Sequence, residues 1–168
     1  MAPNAMPGPK EQYLKVYGDE FKTTLKIMKC YPADKPQFKP AERSNTALAL
    51  MWTFVIEQTV VDAALHGTLK LTGAFPPPPA TIGEVIAAYE KGVKDVQNTL
   101  GKVPESRLFE KVTFFTGPKQ MGEVPIIDIM WLMLMDSVHH RGQLSVYIRM
   151  NNGKVPSIYG PSGDEPWG

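Results

Sequence analysis

PIIDIMWLMLMDSVHHRGQLSVYIRMNN, residues 125–152, reads as one long helix, and the rest of the chain reads as scaffold around it. Pro125 suits a first helical position, where its missing N–H costs nothing and its φ is already helical. Spacing by three and four then places Ile129, Met133, Asp136, His140, Leu144 and Tyr147 on one stripe. Asp136 and His140 are the polar pair embedded in that apolar stripe. Lying four apart, their heads reach a common point. Either they hold something between them, or they satisfy each other through a charge-assisted hydrogen bond, as buried ionisable groups normally do. His139 falls one position off the stripe and is expected to be exposed or at an interface. Gly142 costs roughly 1 kcal/mol against Ala in mid-helix, and close approach of a partner helix is the expected reason.

A second inward pair lies on an earlier helix. From Thr46 to His66 the residues are apolar nearly all round, which implies burial on more than one side. Ser44 or Asn45 is the expected N-cap, and Gly67 the C-terminal stop, with His66 offsetting the helix dipole. One stripe holds Leu50, Thr53, Phe54, Glu57, Val61 and Ala64, so Thr53 and Glu57 are polar side chains four apart on an apolar face. They are the counterpart of Asp136 and His140. One pocket between the two helices, lined by Thr53, Glu57, Asp136 and His140, is therefore expected.

The remaining elements supply the bundle. Met1 to Pro9 is rich in Pro, Gly and Ala and is expected to be disordered, with a single domain over residues 10–168. From Lys10, Tyr13, Val16, Tyr17, Phe21, Leu25 and Met28 recur at helical spacing, and the helix stops before Pro32. Tyr31 to Arg43 reads as a loop. Phe75 to Pro79 must be extended. Thr81 and Glu84 form a capping box for a third helix with an apolar edge from Ile82 to Leu100, ending near Gly101. Between Lys102 and Val124, Val112 and Phe114 suggest a short extended piece pairing with Gln120 to Val124 as a hairpin. The long helix is expected to run to Asn152 with Gly153 at its end, and the tail to pack back along the surface. Four helices joined by long connections define an all-α four-helix bundle, in which sites are built from side chains on facing helices.

Composition excludes several classes. A formal net charge of +1 in 168 residues, with no Lys/Arg stripe, gives no footprint for nucleic acid. Cys30 is the sole cysteine, so no internal disulfide can form, and it reads as a small buried hydrophobe. No secretory signal pattern opens the chain, and no uninterrupted apolar run reaches the roughly eighteen residues that mark a membrane span. A cytoplasmic protein with no membrane partner is the expectation.

His139-His140-Arg141-Gly142-Gln143-Leu144, together with Gly153-Lys154-Val155-Pro156-Ser157-Ile158-Tyr159-Gly160-Pro161-Ser162-Gly163, resembles the DinB-like superfamily. That superfamily includes the YfiT-like proteins, bacillithiol- and mycothiol-dependent transferases and maleylpyruvate isomerases. The resemblance implies a bundle in up-down-down-up order, short strands after the third helix, frequent homodimers and a divalent metal on three histidines. His140 matches one of those histidines. Asp136 stands in the place of a second, Thr53 in the place of the third, and Glu57 lies one turn beyond it. The implied donor set is Asp136, His140 and Glu57 for nickel, zinc or iron, although Glu57 could instead pair with Arg141 or accept a hydrogen bond from His140. With histidines replaced, the resemblance implies a catalytically silent or small-ligand-binding bundle with a degraded metal site. The alternative is a metal-dependent enzyme of thiol-transferase or hydrolase type on the variant Asp/His/Glu set. A third possibility is a structural dimer formed through helix faces the bundle leaves uncovered.

Overall fold

The structure, a computed structural model, describes residues 6–167. Four helices carry it: α1 (Pro9–Lys29), α2 (Ala47–His66), α3 (Ile82–Lys102) and α4 (Ile126–Met150), with strands β1 (Lys111–Gly117) and β2 (Gln120–Pro125) between α3 and α4. The expected N-terminal boundary moves by one residue, because Pro9 is the first residue of α1 and Gly8 its cap. Residues 1–5 of the expected disordered segment lie outside the described residues.

Side-chain contacts set the helix directions. Tyr13 bonds the Met130 carbonyl and Thr24 bonds Arg141, so α1 and α4 run the same way. Gly92 abuts Gln58 and Thr99 bonds Asp62, so α2 and α3 also run together. Ser137 meets Glu57 and Tyr147 meets the Asn45 carbonyl, which makes α4 antiparallel to α2. Lys10 reaches Val103 while Phe21 lies against Tyr89, which makes α1 antiparallel to α3. The order is up-down-down-up. A parallel α2–α3 pair requires a connection as long as a helix, roughly 30 Å. The extended Pro76–Pro79 stretch lies in that connection, and Trp52 fastens it by donating from its indole N–H to the Pro76 carbonyl at 2.7 Å.

Local chemistry places the ends. The α3 capping box is complete, with Thr81 accepting from the Glu84 amide and Glu84 accepting from that of Thr81. Gly67 closes α2 in the left-handed region at φ 72°. The α2 cap is Thr46, where Ser44 or Asn45 was expected, because the preceding loop folds back and offers carbonyls to the first amides. Ala47 donates to Phe38 at 2.8 Å and Leu48 to Pro36 at 3.0 Å. Pro125 is likewise one position outside its helix. It pairs with Lys111 as the last residue of β2, with ψ 140°, and Ile126 takes the first helical position by donating to the Glu110 carbonyl. At the other end α4 stops at Met150. Asn152 turns at φ 58°, and Gly153 passes where a Cβ would meet Ile148 Cγ2 at 2.7 Å.

The core runs through all four helices, and α2 is buried on most sides, as its all-round apolar pattern requires. By length and composition α2 is the one helix among the described residues able to cross a membrane, and 61% of its most apolar window is buried within the bundle. Close helix approach occurs at Gly92, where a Cβ would lie 3.1 Å from Gln58 Cβ. It does not occur at Gly142, whose face is open: a Cβ there would meet nothing within 4 Å among the described residues. Phe114 anchors the hairpin onto Val60 of α2 and Ile129 of α4.

Candidate metal and ligand site

Helical spacing on α2 and α4 brings Glu57, Asp136 and His140 together. One ligand atom from each lies within 4.8 Å of the others. His140 Nδ1 is 3.0 Å from Glu57 Oε1 and 3.7 Å from Asp136 Oδ2. Bonds of about 2.0–2.2 Å from one divalent ion to nitrogen and oxygen donors imply donor–donor separations close to these. The second Glu57 oxygen accepts from the Ser137 hydroxyl. Glu57 is almost fully buried, Asp136 is half-exposed and His140 lies between, with its ring edge toward Phe54.

Burial and pairing act in opposite directions on these groups. Loss of solvent raises the Glu57 carboxyl above its usual range, against hydrogen bonds from His140 and Ser137 that lower it. The Glu57 hydrogen bond raises His140 above its ordinary 6.5, with the Asp136 charge adding to it against partial desolvation. A divalent ion would compete with the proton that His140 and Glu57 share, and a donor set of one imidazole and two carboxylates suits a borderline or hard ion.

Above the three groups is a cavity of about 200 Å³ walled by Ile56, Val60, Leu71, Phe75, Phe114 and Met133. Thr53, Glu57, Asp136 and His140 all line it, so the structure brings the four sequence-derived positions to one space. Thr53 contributes differently from the other three, because its hydroxyl donates to the Leu50 carbonyl at 2.6 Å. The hairpin and the α2–α3 connection form the outer wall. Behind Glu57, a small pocket of about 10 Å³ among Tyr13, Tyr17, Glu20, Thr24 and Gln58 has room for roughly one water.

Arg141, one residue past His140, does not reach Glu57. It is fully buried on the α1 side, paired with Glu20 at 2.7 Å, bonded to Thr24 at 3.2 Å and donating to the Tyr159 hydroxyl. Tyr159 in turn donates to Glu20 at 2.8 Å and lays its ring against the guanidinium. The tail therefore packs back as its composition suggests, with Glu165 on Lys26 and Asp164 on Arg149. Sequence spacing missed Ser137 and this Arg141 network. Ser137 stands three before His140, a helical neighbour that could have been read as the partner of Glu57. His139 is exposed, and His66 bonds Thr99 Oγ1 at 3.1 Å beside Asp62, a lateral contact between α2 and α3. Cys30 is partly buried against the core, and burial raises its thiol.

The fold is similar to that of two solved DinB-like proteins. A DinB-like protein from Bacillus cereus superposes with a TM-score of 0.71 at 22% identity, over 89% of this chain and 97% of that one. YjoA, a DinB-like protein from Bacillus subtilis, does so with a TM-score of 0.67 at 16% identity, over 85% of this chain and 93% of that one. The likeness is one of fold across nearly the whole chain. No family model and no curated protein sequence matches it.

Proposed function

We propose that this protein binds a small, largely apolar molecule in the cavity between α2, α4 and the hairpin, with Glu57, Asp136 and His140 holding a divalent cation at its floor. The observation that carries the reading is the meeting of three potential ligand atoms within 4.8 Å at the base of an apolar-walled space of about 200 Å³. Binding pockets combine apolar walls with a few convergent polar groups in this way. When bound, a divalent ion with three protein ligands supplies open positions for water or for a heteroatom of the ligand, and lowers the pKa of what it binds. Glu57 would be the anchored donor, held by Ser137. Asp136, more exposed, would close the set from the cavity rim.

A second reading, a pocket that takes its ligand without metal, is supported by the completeness of the polar network. Among the described residues no buried side-chain nitrogen or oxygen lacks a hydrogen-bond partner. Elemental mass spectrometry of untagged protein purified without chelator, followed by titration with Zn²⁺, Ni²⁺ and Fe²⁺, separates the two. The first reading expects close to one equivalent of metal, and a loss of affinity of at least about 100-fold in His140→Ala, since that change removes the only nitrogen donor. A protein that stays metal-free after soaking, with a melting temperature indifferent to all three ions, would leave the metal-free pocket.

A further inference from the structure

A second space adjoins the cavity above Glu57. Of about 250 Å³, it lies between α2 and the α2–α3 connection, bordered by Thr59 and Ala63 on the helix and by residues 68–76 on the connection. Val60, Leu71 and Phe75 line both spaces, so the two are lobes on either side of a shared partition. Phe75 is its loosest member. It is 42% exposed and packs into neither core cluster, whereas Val60 and Leu71 pack with Phe114 and Ile129.

The two lobes differ in chemistry. The near lobe has apolar walls, and its floor sets two carboxylates against one imidazole. The far lobe has one charged side chain, Lys70, which is exposed and in no ion pair among the described residues. Around Lys70 the amides from Leu69 to Phe75 donate to no group among the described residues, because the connection leaves helical pairing at Gly67 and turns again at Gly73, φ 92°. An ammonium beside open N–H groups is a set of donors that a carboxylate satisfies. The carboxylates at the other end repel the same anion, so charge orients a guest with its anionic end at Lys70. Shape narrows the class further. A compact ring system fills one lobe, whereas an unbranched chain passes Phe75 and occupies both.

We propose that the molecule taken by the cavity is an unbranched carboxylic acid of medium chain length, with its carboxylate at Lys70 and its hydrocarbon body running past Phe75 onto Phe114 and Met133. This rests on the reading that the cavity takes a largely apolar molecule, and adds to it the far lobe and the chemical class. It does not require metal at the floor.

Isothermal titration of the full chain, as purified, with butanoate, hexanoate and octanoate and with the matching straight-chain alcohols tests it. Affinity should rise about fourfold for each added methylene along the acids. Octanoate should bind about tenfold tighter than octanol, a preference that Lys70→Gln erases and Lys70→Arg keeps. Ala63→Leu, which fills the far lobe alone, should cost octanoate about tenfold and leave butanol unchanged. Acids and alcohols of equal affinity would overturn the proposal, as would an affinity flat in chain length or an octanoate affinity that Ala63→Leu does not change. A preference for acid that survives Lys70→Gln would overturn it too, and would put the carboxylate on a metal at the floor. In each of these cases bound alcohol leaves the cavity reading standing. Binding of neither series would remove that reading and the proposal with it.

Discussion

His140 and Arg141 are neighbours in sequence and about 100° apart around α4, and each is the centre of a charge cluster. On the α2 side, Glu57, Asp136 and His140 open onto a cavity. On the α1 side, Arg141, Glu20, Thr24 and Tyr159 close on one another, with the guanidinium 1% exposed. The closed cluster has each charge matched by fixed partners, so it ties α1, α4 and the tail together. The open cluster leaves its half-exposed carboxylate facing a space large enough for a ligand. Position beside a cavity, more than charge or burial, separates a candidate site from a structural ion pair.

The largest effect should come from breaking the closed cluster. Arg141→Ala strands Glu20 and empties a buried volume, and removing one partner of a buried pair costs about 3–5 kcal/mol. His140→Ala in metal-free protein should cost less, about 1–2 kcal/mol, because Glu57 keeps Ser137 and burial already favours its protonated form. Urea denaturation of the two variants measures the difference. Equal losses would mean that both clusters are structural.

A smaller loss is expected from Tyr159→Phe. The hydroxyl links Arg141 and Glu20, and deleting it leaves their direct 2.7 Å ion pair intact. The cost should be about 1–2 kcal/mol, with metal affinity unchanged, because the open cluster shares none of these atoms. A change in metal affinity would show that the two faces of α4 are coupled.

The same contrast explains what was legible in the sequence. Glu57, Asp136 and His140 stood out because polar residues four apart on an apolar stripe must point inward together. The hairpin, the Thr81 capping box and the Gly67 stop were legible because their chemistry is local. Arg141 was not, since its partners lie 121 residues before it and 18 after, and helical spacing on α4 says nothing of either. Pro125 and Ser44 misled for a related reason. Each carries a valid local signal for a helix start, but strand pairing at Pro125 and returning carbonyls before Thr46 shift the true start by one or two residues. Gly142 signalled a close approach that the structure does not make: among the described residues nothing lies within 4 Å of a Cβ there, and the close helix contact belongs to Gly92.

The gentlest probe of the open cluster is pH, which should move stability and metal affinity in opposite directions. His140 has a raised pKa in the folded protein, so its contribution to stability is fully present below the ordinary 6.5 and is lost as pH rises through the higher folded value. Glu57, raised by burial, acts in the same sense, favouring the fold below its ordinary 4.5 and less so above it. Metal-free protein should therefore soften as pH climbs from about 6.5 through the folded pKa of His140. Metal affinity should climb over that interval, by up to about tenfold per pH unit, because the ion must displace the imidazole proton. The closed cluster provides the control, since it holds no histidine. Thermal melts and metal titrations on one pH series read both slopes. If they rise or fall together, the proton that holds Glu57 to His140 is not the one a metal would replace, and the open cluster is a second structural ion pair beside a ligand cavity.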